Sequence, residues 1–301
     1  MFHVKQNTEK TQIKVCPLCS SEDIMHYGKT KDYFFTQEEF SITKCQQCYF
    51  VFTNPVPKNL SAYYNTPEYL SHNTKNGGII SKVYSFLRFI NIKRKYNLIS
   101  LYCKKGNILD IGSGTGELLS YFNKNGWDTT GIEPNENARK FSKINYNIEV
   151  YNENKLDDFG LKSFDVITMW HVLEHVPDLH KRLSQISKII KDNGTLVFAL
   201  PNLNSPDSIK YKGYWSALDV PRHLHHFTQQ SFEKLISYHN LRLVHAEPMK
   251  FDSYYVSMLS EKYMKNKFYY FSAIYNGFIS NMKAKKNNNY SSMIFVVKKD
   301  I

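Results

Sequence analysis

Cys16-Pro17-Leu18-Cys19 and Cys45-Gln46-Gln47-Cys48 are two C-x-x-C pairs. Each puts two thiolates on one tight turn, where both can face a single tetrahedral ion, and two such pairs complete a four-ligand site. A site closed by four sulfurs leaves no position for a substrate. Cys16, Cys19, Cys45 and Cys48 are therefore expected to hold a structural Zn2+. Neither pair opens a helix after a strand, which speaks against a redox dithiol. A second group is Asp110-Ile111-Gly112-Ser113-Gly114-Thr115-Gly116. Its alternate glycines let the backbone turn sharply and approach a ligand with no Cβ between. Seventeen residues beyond Gly116, Glu133 ends the next predicted strand, where its carboxylate can accept both hydroxyls of a ribose. The spacing is not the G-x-G-x-x-G of a nicotinamide site, and no lysine completes a P-loop. Asp110, at the carboxyl end of its strand, can accept hydrogen bonds from a cationic amino group. A ligand with an ammonium, a ribose and an adenine fits these positions better than one with a pyrophosphate.

Histidine is the natural proton acceptor near neutral pH, and two places offer it. His171 and His175 follow a predicted strand, at the carboxyl edge where open α/β sheets bind ligands. The other place is Pro221-Arg222-His223-Leu224-His225-His226-Phe227-Thr228, ahead of a helix that Thr228 is placed to cap. Both have a plain structural reading as well. His175 can pack against the helix after Pro177, and the loop can be a hydrogen-bonded connection. No carboxylate stands near the loop as an obvious further metal ligand.

These residues need elements to hold them. The 25 residues between the C-x-x-C pairs contain strand-like segments at Met25–Tyr27, Tyr33–Thr36 and Phe40–Thr43, the layout of a zinc ribbon. The connector Thr53-Asn54-Pro55-Val56-Pro57 leads to Tyr63, Tyr64 and Tyr69, which can cover a site mouth and bind substrate or pack on the next domain. Gly77-Gly78 breaks the chain. Helical apolar spacing follows over 79–102, where Lys93-Arg94-Lys95 is expected to be a solvated face. Strands at 107–111, 128–132, 148–151, 165–170 and 195–200 then alternate with helices at 116–125, 135–145 and 178–191. That alternation predicts a parallel sheet with helices on both faces. A long loop, a helix at 228–239, a strand at 241–246, an aromatic, Lys-rich insertion at 251–290 and a last strand from Met293 to Val297 complete the chain. The expected domains are a ribbon (1–53), a connector and helical cap (54–105) and the α/β domain (106–301). Cys103 reads as a core or helix-end thiol.

The 301 residues are 42% hydrophobic and 15% aromatic, enough for a sizeable core and too apolar for global disorder. The first residues are polar, which predicts no secretory signal, and no apolar run is long enough to span a membrane. Five cysteines in such a chain suggest no disulfide framework, so a cytoplasmic location is expected. The net charge of +12 is uneven: +8 over residues 1–106, −1 over 107–250 and +5 over 251–301. Basic flanks around a neutral centre can attract phosphorylated metabolites, anionic lipid at a peripheral membrane contact, or nucleic acid. A solvated, Lys-rich surface is the plain alternative.

Leu109-Asp110-Ile111-Gly112-Ser113-Gly114-Thr115-Gly116 resembles motif I of the class I S-adenosylmethionine-dependent methyltransferases. Phe164 to Asp178 is similar to their fourth-strand motif, and Asn193-Gly194-Thr195-Leu196-Val197 to the turn into their fifth strand. The resemblance covers about residues 105–246 and the final strand. It implies an α/β fold with a Rossmann-like seven-stranded sheet, helices on both faces, and S-adenosylmethionine as cofactor. It places Gly112, Ser113, Gly114 and Gly116 beside the methionine part, Glu133 at the ribose, Glu153 or Asn154 near the adenine, and Trp170 at the cofactor. The ribbon adds a narrower resemblance to bacterial enzymes that include sugar C-methyltransferases, although those carry a further C-terminal domain. Their acid-His-Phe stretch is similar to His225-His226-Phe227. This implies His226 as base, ahead of His175 and His171, with Arg222 or His223 contacting an anionic group of a small-molecule acceptor. A sugar or glycolipid intermediate is the expected acceptor. RNA methylation is an alternative, but no Asn-Pro-Pro-Tyr-like motif follows the fourth strand. A non-catalytic ribbon module is a third reading, opposed by the intact Asp110, glycines and Glu133.

Overall fold

The computed structural model describes residues 9–64 and 79–300, and the side chains of its longest helix from residue 88 onward. Tyr69 and Gly77-Gly78 lie outside the described residues. The N-terminal part is made of short strands: β1 (Lys10–Thr11), β2 (Ile24–Lys31), β3 (Glu39–Cys45), β4 (Val51–Thr53) and β5 (Val56–Pro57). β2, β3 and β4 form an antiparallel sheet, with Ile24 opposite Cys45 and Ile42 opposite Thr53. The segments expected at Met25–Tyr27 and Phe40–Thr43 lie within β2 and β3. The one expected at Tyr33–Thr36 is a turn instead. Asp32 is the cause. Its carboxylate accepts from the N–H groups of Phe35 and Thr36 at 3.1 and 2.9 Å and from the Thr36 hydroxyl at 2.9 Å. This local bonding overrides the strand preference of the aromatic residues.

The rest of the chain alternates. In order come α1 (Ile79–Tyr102), β6 (Asn107–Ile111), α2 (Glu117–Lys124), β7 (Asp128–Ile132), α3 (Glu136–Tyr146), β8 (Glu149–Tyr151) and β9 (Phe164–Trp170). Then follow α4 (Leu179–Ile189), β10 (Ile190–Pro201), α5 (Pro206–Tyr211), β11 (His225–His226), α6 (Gln229–Ser237), β12 (Leu241–Pro248), α7 (Asp252–Tyr263), α8 (Tyr269–Ala284) and β13 (Ser292–Lys299). Side chains set several helix starts. Asn135, Asp178 and Thr228 accept from the N–H groups of Ala138, Lys181 and Ser231 at 3.1, 2.9 and 3.1 Å. Ser231 returns the bond to the Thr228 N–H at 2.9 Å, closing a reciprocal cap.

Seven strands form one sheet in the order β12-β13-β10-β9-β6-β7-β8. β13 runs antiparallel to both neighbours, and the pairings from β10 to β8 are parallel. Successive strand residues face opposite cores. Leu109, Ile167, Phe198 and Phe295 pack on one side, with Leu183 and Ile186 of α4 and Phe232 and Leu235 of α6. Ile108, Val166, Val197 and Val296 pack on the other, with Leu98 and Ile99 of α1 and Leu119 and Phe122 of α2. Burial on both faces is why these strands read as continuous apolar runs. Each fully buried Leu, Ile or Phe contributes about 1.5–3 kcal/mol.

The ribbon joins this body in two ways. Leu18, Phe50 and Phe52 share the core beneath α4 and α6. β11 also adds to the ribbon sheet as a fourth strand, with His225 opposite Phe52 and His226 opposite Val51. The insertion at 251–290 is a helical hairpin of α7 and α8. No helix among the described residues is long and apolar enough to cross a membrane.

Candidate functional site

The glycine turn leaves β6 at the carboxyl edge of the sheet. The N–H groups of Gly112 and Ser113 both donate to the Ile132 carbonyl, at 2.7 and 3.0 Å, which folds the turn over the end of β7. Gly112, Gly114 and Gly116 have φ of +77°, +53° and +78°, a region costly for other residues. They differ in surroundings. A Cβ at Gly112 would collide with Val172, and one at Gly116 with Ser142, so those two are glycine for packing as well. At Gly114 nothing lies within 4 Å of the missing Cβ. Glu133 reaches into this opening. Its carboxylate accepts from the Gly114 N–H and the Asn135 N–H, both at 2.9 Å. A carboxylate has about four lone-pair positions, so Glu133 keeps capacity for further donors.

Asp110 is 3% exposed and accepts from the Thr168 hydroxyl at 2.6 Å. Burial pushes its carboxyl up to about 6, with Thr168 and Lys95 opposing. Lys95 comes from α1, and its ammonium lies 4.0 Å above the Trp170 ring. Burial draws that ammonium down to about 8, against the attraction of Asp110 and Asp252. Arg94 donates to the Pro248 carbonyl at 3.0 Å. The triplet 93–95 is thus only in part the solvated face its charge suggested, because α1 packs across the sheet edge and turns Arg94 and Lys95 inward. Ser113 Oγ and Trp170 Nε1 are buried without a hydrogen-bond partner among the described residues. Open space at Gly114, the acid at Glu133, the buried Asp110 and these two orphaned polar atoms fit a nucleoside with an amino-acid tail. Glu153 begins a short 3-10 turn after β8, and its carboxylate is engaged by Arg182. The adenine contact expected of it competes with that ion pair, which forms because α4 brings Arg182 alongside.

Past Trp170 the chain bends. His171 has a φ of +56°, a strained value for a side-chain-bearing residue, and its N–H donates to the Ala199 carbonyl at 3.0 Å. Its Nδ1 lies 3.4 Å from Glu174 and its Nε2 3.4 Å from Asp252. Burial works against a charge on this ring, yet Asp252 and Glu174 outweigh it and raise His171 to about 9. Glu174 is fully buried, and neither carboxylate oxygen has a hydrogen bond among the described residues. Burial disfavours its charge, but the His171 ring beside it holds its carboxyl below the usual range. Glu174, His175 and His223 offer ligand-type atoms within 4.8 Å of one another. The carboxylate that the sequence did not place beside the histidine loop is therefore Glu174, from the other strand end.

His175 lies under Tyr64. Its Nδ1 is 3.0 Å from the Tyr64 hydroxyl and 3.0 Å from the Arg222 carbonyl. Burial, with His223 nearby, lowers it to about 4, so this ring is neutral at physiological pH. Tyr64 therefore covers a histidine rather than standing clear. Tyr63 is fully buried and donates to Glu38 at 2.9 Å, which packs it inside the ribbon rather than at a substrate.

The histidine loop is a structural tie. Arg222 is 1% exposed, with its guanidinium 2.8 Å from Asp32 and 2.6 Å from Asp219. Those two acids pin the ribbon turn to the loop, and the charge expected to meet a substrate anion is already neutralised. His223 Nδ1 is 2.8 Å from the Ala217 carbonyl. His226 is 4% exposed, its Nε2 is 3.1 Å from the Thr53 hydroxyl, and burial takes it well below its ordinary value. The base expected at His226 is enclosed because β11 pairs with the ribbon, an interaction across more than 170 residues. A groove of about 330 Å3 lined by Lys44, Tyr49, Leu203, Thr228 and Lys234 lies between the ribbon and α6, and no residue of the glycine turn lines it.

Cys16, Cys19, Cys45 and Cys48 bring their sulfurs within 4.8 Å of one another. Cys16 and Cys48 are 3.5 Å apart, and Cys19 and Cys45 are 3.6 Å apart. Burial of Cys45 is outweighed by the N–H groups of Cys48 and Gln47, which bring its thiol down to about 7. Burial pushes the Cys16 thiol up to about 11 and raises Cys48 as well, so it is the convergence of four sulfurs that suits a soft divalent cation.

Residues 86–246, more than half of the chain, match a family model described as a methyltransferase domain. A ubiquinone biosynthesis O-methyltransferase of Actinobacillus pleuropneumoniae serotype 5b is 35% identical over 127 residues, 38% of this chain and 53% of the relative. The chain thus spans about half the length of that relative. The serotype 7 protein of the same name is 29% identical over 196 residues, 60% of this chain and 80% of its own. Among solved structures, geranyl diphosphate C-methyltransferase from Streptomyces coelicolor A3(2), in complex with Mg2+, geranyl diphosphate and S-adenosyl-L-homocysteine, superposes with a TM-score of 0.53. It is 11% identical and covers 76% of this chain and 88% of its own, a likeness of fold.

Proposed function

The chain belongs to the methyltransferase-domain family, and from that premise we propose that it transfers a methyl group from S-adenosylmethionine to a small-molecule acceptor. The observation that carries this is the Gly112–Gly116 turn, open at Gly114, with the Glu133 carboxylate bonded to the Gly114 N–H. Glu133 would take the ribose hydroxyls, the turn would follow the methionine part, and Asp110 would face its amino group. When bound, the sulfonium supplies the electrophilic methyl and a neutral leaving group. The chain's own task is to orient the acceptor, exclude water and take a proton. His171 suits the last role best. It follows Trp170 at the sheet edge and is only partly buried, and it can take a proton once it has lost its own, because Glu174 and Asp252 face both ring nitrogens and favour the charged form up to about 9. Asp252 and Glu174 are its positioning residues.

The curated relatives are named as O-methyltransferases, which supports an oxygen acceptor. The ribbon resemblance, to enzymes that include sugar C-methyltransferases, supports a sugar or glycolipid intermediate as the acceptor class but not its atom, and we place the reaction in the cytoplasm. The four cysteines hold Zn2+ as a structural ion in this reading. The test is a transfer assay on a panel of hydroxylated glycolipid and sugar acceptors. The expected result is acceptor-dependent release of S-adenosylhomocysteine that His171→Ala lowers by about 10²–10⁴-fold. Methylation of RNA with none of the small acceptors used would overturn it.

A further inference from the structure

Helix α8 is amphipathic in the reverse sense. It buries its small and polar residues, Ala273, Asn276, Gly277, Ser280 and Ala284. Gly277 sits so close to α7 that a Cβ there would lie 2.7 Å from the Tyr254 ring. Outward go Phe271 at 77% exposure, Ile274 at 64%, Tyr275 at 66%, Phe278 at 52% and Met282 at 48%. These positions recur at i, i+3, i+4, i+7 and i+11, so they form one stripe along the helix. Phe268, 71% exposed, extends it toward α7. Soluble surfaces rarely leave an apolar patch of this extent uncovered.

The charges around the stripe have one sign. Lys262, Lys265 and Lys267 stand exposed at one end, and Lys283, Lys285 and Lys286 at the other. None of the six forms an ion pair among the described residues. Between residues 253 and 299 the one acid is Glu261, and it is buried, accepting from Tyr211 at 2.9 Å and Asn276 at 2.7 Å. A self-complementary dimer through this face would bring like charges together around the aromatic centre. An anionic bilayer surface instead neutralises the lysines and takes the rings at headgroup depth, with the tyrosine hydroxyl at the wet side. At 16 residues, α8 lies on such a surface rather than across it.

We infer that the outer face of α8 is a docking surface for membranes containing anionic lipid. The docking stands independently of the methyl-transfer reading. One consequence does rest on that reading: α7 supplies Asp252 to His171, so a seated hairpin holds the site beside the bilayer and favours an amphiphilic acceptor.

The experiment is co-sedimentation of the full chain with phosphatidylcholine vesicles, with and without phosphatidylglycerol. Binding is expected with phosphatidylglycerol vesicles at low salt and little with phosphatidylcholine alone. Phe271→Ser with Phe278→Ser should weaken it by about ten- to a hundredfold. Lys283→Gln, Lys285→Gln and Lys286→Gln together should remove most of its salt dependence while leaving circular dichroism unchanged. Binding of S-adenosylmethionine should be the same in every variant, which separates this test from that of the activity. Equal sedimentation of the wild type with both vesicle types, or none with either, overturns the inference. So does a stable dimer that becomes monomeric in the phenylalanine variant.

Discussion

At the carboxyl edge of the sheet, Ser113 Oγ and Trp170 Nε1 lack hydrogen-bond partners among the described residues, and the buried Glu174 carboxylate meets only the His171 ring, at 3.4 Å. In the loop at 221–228, Arg222 meets two carboxylates, His223 the Ala217 carbonyl and His226 the Thr53 hydroxyl. By residue type the loop is the richer in chemistry, with an arginine and three histidines. By bonding it is the more complete, although the Nδ1 of His225 is also buried without a partner among the described residues while its Nε2 lies 2.9 Å from the Val176 carbonyl. Polar groups that are buried and unpaired cost free energy, and a fold keeps them where something else will pair with them. The contrast supports our proposal that the ligand binds at the turn and strand end, with the loop serving cohesion.

The largest effect expected is at His171. His171→Ala should lower turnover by about 10²–10⁴-fold, the usual contribution of a general base, with cofactor affinity unchanged. Since Asp252 and Glu174 raise His171 to about 9, the wild-type rate should climb with pH toward that value. A rate flat between pH 6 and 9 would remove it from the role. His226→Ala should leave the turnover of folded protein near normal. If it is His226→Ala that abolishes turnover, the division between the two regions fails.

Next in size is Arg222→Met, which leaves Asp32 and Asp219 without their cation. Breaking a buried pair from one side costs about 3–5 kcal/mol, and a urea midpoint should fall accordingly. An unchanged midpoint with a raised KM for an anionic acceptor would return the loop to substrate binding. Asp110→Asn should act in the opposite direction. The folded carboxyl, raised to about 6 from an ordinary 3.8, makes a contribution to stability that is lost as pH rises through 6. At pH 8 the amide should therefore raise stability by about 1–3 kcal/mol while weakening cofactor binding. A destabilised Asn variant would contradict the reading of Asp110 as a ligand-awaiting acid.

The smallest effect is again at His171, in stability. Its raised value means the stabilisation is complete below 6.5 and disappears as pH rises through about 9. Discounted for partial exposure, this is about 1 kcal/mol, and His171→Asn should flatten that part of a Tm-against-pH curve. Activity and stability are thus predicted to move in opposite directions over this range.

How much of this was legible in the sequence follows the range of the interactions. The alternation of strands and helices, the Thr228 cap and the glycine turn depend on neighbours within a few residues, and each was readable. Tyr33–Thr36 was misread although its cause, Asp32, is adjacent, because aromatic strand preference was weighed above a local carboxylate turn. The contacts of Lys95 and Asp252 were missed for another reason. Lys95 is 75 residues from Trp170, and Asp252 is 81 from His171. Only the packing of α1 and α7 against the sheet edge brings them in. The fate of Arg222 was hidden likewise, since Asp32 lies 190 residues away. The lone charge in each case was visible, but its partner was not. The segment of α8 was legible as aromatic and Lys-rich, yet its small residues rather than its rings turned out to face the protein.

Titration calorimetry with S-adenosylmethionine tests the central claim most directly, on the wild type, Glu133→Ala and Arg222→Met. The wild type should bind one equivalent. Glu133→Ala should bind about ten- to a hundredfold more weakly, the worth of hydrogen bonds to a charged group. Folded Arg222→Met should bind as the wild type does. Absence of binding by the wild type, or equal affinity in Glu133→Ala, would contradict the placement of the cofactor on the glycine turn.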